Sequence, residues 1–196
     1  MLTRMARLRI VEGDAIFLGR FVKEDVPDIA RHFQNLELTA YLGSIGATYT
    51  VEEEQGWYDA ESRQTAERRT FAVFEKALER LIGAVSLFDI NHRHGTATLG
   101  VVIYDPEDWG RGFGSEAVRL AVAYGMFFLD LHNVMLQVFA YNERGVAAYR
   151  KVGFREIGRR TGAVVLGGQR FDQVYMEITR DSVDLTAMRA LIRQLR

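Results

Sequence analysis

A glycine-rich segment between an apolar run and a helical pattern constrains the fold of this chain more than any other feature. Residues 99–117 read LGVVIYDPEDWGRGFGSEA, in which a proline ends the apolar run and Gly110, Gly112 and Gly114 precede the helix. Glycine leaves its backbone amides unobstructed, and amides at the start of a helix can converge on an anion. The segment therefore predicts a phosphate-binding loop after a strand, with Arg111 adding a cation.

Two other interpretations of the same glycines stay open from the residues alone. One is a tight strand-to-helix turn without a ligand. The other is dinucleotide binding, because residues 112–117 match the pattern G-x-G-x-x-A. A dinucleotide-binding fold expects an acid at the end of the next strand to hold the ribose, but that strand, 134–140, is followed by Tyr141 and Asn142. Antiparallel strands before the loop would also disfavour such a fold.

The spacing of apolar residues predicts a mixed α/β chain. Three apolar runs joined by short polar turns, at 70–76, 81–90 and 96–104, predict an antiparallel meander. Thr50 and Glu53 form a capping box, which marks the start of a helix. The other predicted elements are a hairpin at 7–21, helices at 24–35, 50–66, 115–131, 142–152 and 183–195, strands at 134–140, 154–160 and 170–178, and an irregular segment at 36–50.

The composition excludes several classes of function. With 25 Lys and Arg against 26 Asp and Glu, the net charge is −1, which argues against broad nucleic-acid binding. The chain has no cysteine, so disulfides, thiolate metal sites and a cysteine acyl-enzyme are excluded. No apolar run reaches the roughly 20 residues of a membrane helix, and we expect a cytoplasmic protein with no membrane partner. His92 and His94 share a turn without further ligands at metal-binding spacing, so no metal is expected.

A second motif, NERGVAAYRKVGF at 142–154, begins at the end of a predicted strand and continues into a helix. The W-G-R-G-F-G loop and this N-x6-Y-x3-G-F element together resemble the GNAT superfamily of acetyltransferases in order and separation. Two looser matches, EEEQGWYD and GQRFDQVYMEI, extend the resemblance over nearly the whole chain. The branch it resembles most holds the ribosomal-protein alanine and spermidine N-acetyltransferases. The resemblance implies one domain over residues 1–196, with a central, mostly antiparallel sheet, a splayed strand pair and flanking helices.

The resemblance also implies acetyl-CoA as the co-substrate. The amides of the glycine loop would hold its diphosphate, and the end of the preceding strand would pair with the pantetheine arm. A backbone amide near Val102 would polarise the thioester carbonyl. The cofactor-binding residues implied in this way are Val102, Ile103, Tyr104, Trp109, Gly110, Arg111, Gly112, Phe113, Gly114, Ser115 and Asn142. Capping of the following helix explains Asn142 equally well.

Catalysis by direct transfer needs a general acid for the departing thiolate and a base for the amine. The resemblance assigns the acid to Tyr149, although a packed core tyrosine is the simpler alternative. Many family members carry a glutamate base on the strand before the loop, and Thr98 stands at that position here. Glu37, Asp89 and Asp172 are the remaining base candidates, each of which an ordinary surface or structural role also explains. A water chain without a dedicated base is the other possibility.

The predicted function is transfer of acetyl from acetyl-CoA to a primary amine in a ternary complex. The acceptor would be a protein N-terminus, a polyamine or a small amine metabolite. A polyamine site would need acids, which Glu37, Glu52, Glu53 and Glu54 could supply, but an exposed helix start accounts for the last three as well. The alternatives are a non-catalytic acyl-CoA-binding sensor or interaction protein and a nucleotide-dependent oxidoreductase. The apolar C-terminal helix and the resemblance favour a homodimer.

Overall fold

The structure, a computed structural model, describes residues 7–193 and contains one eight-stranded sheet in the order β1-β2-β3-β4-β5-β6-β8-β7. The strands are β1 (Arg9–Glu12), β2 (Ile16–Gly19), β3 (Arg69–Glu75), β4 (Arg80–Asn91), β5 (Thr96–Ile103), β6 (Asn133–Phe139), β7 (Arg155–Leu166) and β8 (Gln169–Thr179). The predicted hairpin, meander and C-terminal strand pair are all confirmed. So is the mixed α/β class with a mostly antiparallel sheet.

Within residues 7–193, six α-helices cover the two faces of the sheet. They are α1 (Val26–His32), α2 (Leu36–Thr39), α3 (Val51–Glu61), α4 (Phe113–Phe128), α5 (Glu143–Val152) and α6 (Thr186–Arg193). Because side chains alternate along a strand, β2, β3, β4 and β5 contribute to two hydrophobic clusters on opposite faces of the sheet. One cluster packs under α4, α5 and α6, and the other packs under α1, α2 and α3.

The sheet consists of two antiparallel parts joined by one short parallel contact. β1 to β5 form the first part, and β6, β8 and β7 form the second. β5 and β6 pair only through Thr96–Thr98 and Asn133–Met135. Beyond Thr98 the two strands diverge, which confirms the predicted splay and opens a gap beside the second half of β5.

Two boundary predictions were wrong for local reasons. Residues 36–50 are not wholly irregular, because Asn35 caps the single-turn helix α2: its Oδ1 accepts a hydrogen bond from the backbone N–H of Glu37 at 2.9 Å. The helix predicted to run to Ala66 ends at Glu61. Residues after Tyr58 offer almost no apolar surface for the sheet, and a helix without a buried face has little to stabilise it.

The start of α3 is set by the predicted capping box. Thr50 Oγ1 accepts from the N–H of Glu53 at 3.2 Å, and Glu53 Oε2 accepts from the N–H of Thr50 at 2.8 Å. Such a cap contributes about 1 kcal/mol to helix stability. By fixing the first turn, it directs Glu54 inward, and this carboxylate is only 6% exposed.

The predicted C-terminal helix at 183–195 corresponds to α6, and its last residues lie outside the described part of the chain. Leu185 and Met188 are buried in the cluster under α4. At least these two apolar side chains are therefore covered by the same chain. Within residues 7–193, no helix is both long and apolar enough to cross a membrane.

Candidate active site

A cavity of about 720 Å³ lies where β5 and β6 diverge. Its walls include the second half of β5, the glycine loop, the first turn of α4 and one side of α5. The two sequence motifs, far apart along the chain, therefore meet around one cleft. Among the predicted binding residues that line it are Val102, Ile103, Trp109, Gly110, Gly112, Phe113, Gly114, Ser115 and Asn142.

The glycine loop has the backbone conformation that an anion cradle needs. Gly110 and Gly112 have φ angles of +77° and +88°, in the left-handed region that glycine adopts without strain. Gly112 is the N-cap of α4, so the first amides of that helix have no partner within the helix. Residues 112–115 line the cavity, and a Cβ added at Gly110 or Gly112 would meet no atom within 4 Å.

A cluster of ion pairs connects the glycine loop to β3 and β4. Asp108, 3% exposed, accepts two hydrogen bonds from Arg80 at 2.8 Å and one from Arg111 at 2.7 Å, and Glu75 accepts from both arginines at 2.9 Å. Burial alone would raise the pKa of Asp108, but the hydrogen bonds from the arginines outweigh it and hold this pKa below its ordinary value. The Arg111 guanidinium, predicted to face the diphosphate, is thus paired with Asp108 and Glu75 and does not line the cleft.

Hydrogen-bond direction divides the residues at the end of β5 into two sets. The N–H of Tyr104 donates to Ile82 O on β4 at 2.9 Å. Because backbone groups alternate in direction along a strand, those of Val102 also face β4, whereas those of Val101 and Ile103 face the gap. The amides near Val102 that can reach a ligand are therefore those of its two neighbours. Tyr104, predicted to contact the cofactor, does not line this cavity: its ring is buried on the opposite face.

Trp109 contacts both the end of β5 and the start of α5. Its indole Nε1 donates to Ile103 O at 2.8 Å, and its ring lies 3.8 Å beneath the Arg144 guanidinium. Arg144 and Lys151, both on α5, line the cleft and were not predicted. Their spacing of seven residues on a helix that begins at the cleft was the available signal, because it places both on one face.

Asn142 and Tyr149 lie on the α5 side of the same cleft. Asn142 Oδ1 accepts from the N–H of Gly145 at 2.9 Å, so the capping role is present whatever else this residue does. Burial raises the pKa of Tyr149 to about 12. The phenol is therefore protonated at neutral pH and can donate a proton or a hydrogen bond into the cleft.

A second cavity, of about 580 Å³, adjoins the first across β5. The two share Leu42, Phe88, Gly100, Val101 and Val102 as a common wall. The second cavity extends under α1 and α3 on the other face of the sheet, and its walls carry aromatic rings and two carboxylates, those of Glu53 and Glu54. A molecule in one cavity and a molecule in the other can thus meet at the open edge of β5.

Residues 16–155 match the family described as the acetyltransferase (GNAT) domain. The chain belongs to the GNAT acetyltransferase family. It is 33% identical over 129 residues to a spermidine N(1)-acetyltransferase of Vibrio cholerae, which covers 66% of this chain and 73% of that one. It is 28% identical over 151 residues to the uncharacterized N-acetyltransferase YoaA of Bacillus subtilis, covering 76% and 84%.

Solved structures agree with this assignment. The crystal structure of spermidine N-acetyltransferase from Vibrio cholerae in complex with CoA and spermine matches with a TM-score of 0.75 at 26% identity, over 87% of this chain and 98% of that one. This GNAT acetyltransferase is accordingly an acyl-CoA-dependent enzyme that transfers acetyl from acetyl-CoA to an amine. The dinucleotide-binding interpretation of its glycine loop was wrong.

The three base candidates of this acetyltransferase are not brought together by the fold. Glu37 is exposed on α2 and lines neither cavity. Asp172 accepts from the N–H of Gly162 at 3.0 Å and lies 3.8 Å from Arg159, so it stabilises an irregularity between β7 and β8. Asp89 lines the first cavity but is exposed, at an irregularity in β4 with a φ of +52°. Thr98 lines the same cavity.

Glu54 is the residue of this acetyltransferase that sequence reasoning undervalued. Burial, and secondarily the charge of Glu53, raises its pKa from 4.5 to about 7. The signal was its position three and four residues before Trp57 and Tyr58, which places the carboxylate on the apolar face of α3. Within residues 7–193, no cluster of three or more His, Cys, Asp and Glu side chains has the geometry of a metal site.

Proposed function

We propose that the acceptor of this acetyltransferase is a small cationic amine of the polyamine class, which enters the second cavity while acetyl-CoA occupies the first. The observation that carries the proposal is the character of the second cavity. It is a concave site of about 580 Å³ with aromatic walls and carboxylates, and small ligands bind in cavities of this size. Two curated relatives with similar sequences are named spermidine N(1)-acetyltransferases.

Charge and aromatic surface both favour a cation in this cavity. Glu53 and Glu54 contribute two carboxylates, and the rings of Phe33, Tyr49 and Trp57 face the same space. An ammonium group is attracted to the faces of aromatic rings as well as to carboxylates. Among the described residues that line the cavity, the cationic side chain is Arg68, and it pairs with Glu61 at 2.8 Å, which offsets its charge.

Several features of the first cavity support its assignment to acetyl-CoA. The amides of residues 112–115 supply donors for a diphosphate. The backbone groups of Val101 and the N–H of Ile103, which face the gap, are available to pair with the pantetheine arm, whereas the Ile103 carbonyl accepts from Trp109. One of those amides would hold the thioester carbonyl oxygen. Tyr149 would donate to the departing thiolate, and Asn142 would contact the cofactor besides capping α5.

We predict that Gly112→Ala weakens acetyl-CoA binding about tenfold. The left-handed backbone of Gly112 costs an alanine about 1–2 kcal/mol, so the loop relaxes and its amides lose their common direction. Calorimetric titration with acetyl-CoA measures the effect. Gly158→Ala is the matched control, because Gly158 has open space around it and no positive φ. Equal dissociation constants for the two variants would contradict the cradle role.

We predict that the enzyme releases CoA thiol in the presence of spermidine or spermine. Acetyl-CoA is mixed with polyamines, alanine- and serine-ended peptides, aminoglycosides and free amino acids, and thiol is followed with a chromogenic disulfide. Because the chain has no cysteine, all thiol comes from CoA. Mass spectrometry of the product identifies the acetylated nitrogen.

Turnover restricted to peptide N-termini would contradict the polyamine proposal and assign the second cavity to a peptide end.

We further propose a cytoplasmic homodimer. The support for self-association is that a related spermidine N-acetyltransferase from Vibrio cholerae has been solved as a dodecamer. The support for the location is the cysteine-free composition, which suits a reducing compartment.

A further inference from the structure

The acceptor amine presents a proton problem that none of the predicted base candidates solves. An alkylamine with a pKa of about 10.4 is neutral in roughly one molecule in 2,500 at pH 7, and only the neutral form is a nucleophile. The base must reach the cavity that the amine occupies. Glu37 and Asp172 line neither cavity, and Asp89 lines the cofactor cleft.

Glu54 is placed where such a base is needed. It lies in the first turn of α3, is 6% exposed, and lines the second cavity. No hydrogen bond from the described residues reaches its carboxylate, and the influences on it are burial and the charge of Glu53. A nearly buried carboxylate without a partner is costly to the fold, and this one faces a ligand-sized space.

Among the residues that the structure describes, no cationic side chain is hydrogen-bonded to Glu54, and the arginine in its cavity, Arg68, pairs with Glu61. The titratable and charged groups that line its cavity, or stack behind it, are His32, Tyr49, Glu53, Arg68 and Tyr104. Burial, together with the charges of Glu54 and Asp25, raises the pKa of Tyr104, so this neighbour stays a neutral phenol. Burial lowers the pKa of His32, whose ring stacks on Tyr104 at 5.5 Å.

We propose that Glu54 is the general base that takes a proton from the acceptor ammonium in the second cavity. This inference rests on the proposed function in one respect, that the acceptor enters this cavity. Glu54 removes one proton from the ammonium and later releases it to water. The neutral nitrogen attacks the thioester carbonyl carbon, a C–N bond forms, and the C–S bond breaks. The second proton of the nitrogen passes to the departing sulfur, on which a hydrogen bond from the Tyr149 hydroxyl stabilises the developing negative charge. CoA leaves as the thiol, and one proton is released overall.

The protonation behaviour of this carboxylate suits the role. Its pKa of about 7 lies near the operating pH, where a base is both largely ionised and able to accept a proton. A carboxylate at its ordinary pKa would be ionised but a far weaker base. Burial against the aromatic wall is therefore the physical cause of the basicity, as well as of the energetic cost.

The test is the pH profile of kcat/KM between pH 5.5 and 9, with the amine that gives the fastest turnover in the panel. In the natural enzyme, kcat/KM should rise about tenfold per pH unit up to about pH 7 and then level off, because the ammonium form of the amine predominates up to pH 9. Glu54→Gln should lower kcat/KM at pH 8 about a hundredfold and abolish the rise of kcat/KM with pH below pH 7. The affinity for acetyl-CoA should be unchanged. Glu52→Gln is the matched control: it removes the same charge from the same turn, at an exposed position that lines neither cavity.

Three outcomes would overturn the role of Glu54 as base. The first is a Glu54→Gln variant whose kcat/KM stays within threefold of the natural value. The second is a lower kcat/KM that still rises with pH up to about pH 7. The third is an equal loss of kcat/KM in Glu52→Gln. The second of these would make Glu54 a binding carboxylate only. Failure of the polyamine proposal is distinguishable, because it changes which amine is used and leaves the comparison of the two variants intact.

Discussion

Tyr149→Phe should lower kcat about a hundredfold while the dissociation constant of acetyl-CoA stays within threefold of its natural value. The substitution removes one oxygen atom and leaves the packing of the ring against Phe154 in place. Removal of a general acid commonly costs a factor of this size. Single-turnover measurements of thiol release, with saturating acetyl-CoA and amine, separate the chemical step from binding.

The raised pKa of this tyrosine determines what kind of donor it is. At about 12, it exceeds the pKa of about 8.5 typical of a thiol, so full transfer to the thiolate is uphill. In the proposed role, the phenol would therefore act chiefly by a hydrogen bond that strengthens as negative charge develops on sulfur. The effect of Tyr149→Phe should consequently vary little between pH 6 and 9.

Tyr124→Phe serves as the control for that experiment. Tyr124 lies on α4, packs against Phe71, and lines neither cavity. Its variant should keep the natural kcat. If both variants lost activity equally, or if Tyr149→Phe kept more than a third of kcat, Tyr149 would be a packing residue.

Glu54→Gln should stabilise the protein at pH 8 by about 3 kcal/mol. The folded protein holds the pKa of Glu54 at about 7, against 4.5 ordinarily, and this rise corresponds to about 3 kcal/mol. Below pH 4.5 the group is protonated in both states and costs nothing. As the pH rises through 7 the folded protein must bury a charge, and stability is lost. Glutamine resembles the protonated acid and avoids that cost.

Urea unfolding at pH 5 and pH 8 tests this prediction. The gain in free energy of unfolding should be small at pH 5 and reach its full size at pH 8, with a Tm increase of about 5–10 °C. Glu52→Gln, at an exposed position, should change stability by less than about 0.5 kcal/mol at either pH. A Glu54→Gln variant less stable than the natural protein at pH 8 would mean that the carboxylate has a stabilising partner. A residue that lowers stability while raising activity is typical of a functional site.

Local sequence signals predicted most of the fold and half of the site. The capping box at Thr50, the alternation in 70–104 and the glycines after a broken strand each act within a few residues, so the sequence alone carries them. The N-x6-Y-x3-G-F element was located by its resemblance to the GNAT superfamily, and it does line the cleft with Asn142 and Tyr149.

The features that were missed depend on contacts distant in sequence. The orientation of the Arg111 side chain depends on its hydrogen bond to Glu75, which lies on β3. The placement of Tyr104 follows from its hydrogen bond to Ile82. The raised pKa of Glu54 arises from the walls of a cavity lined by α1, α3, β4 and β5. No sequence pattern local to α3 indicates how completely those walls exclude water.

The three-residue contact between β5 and β6 has a mechanical consequence. The two antiparallel parts of the sheet are joined only through this short contact, so separating them there would break few backbone hydrogen bonds. A substrate that extends along the free edge of β5 would contact both antiparallel parts of the sheet and hold them together. Its binding free energy is added to the stability of the whole fold, so the protein is most resistant to unfolding while it holds the molecule on which it acts.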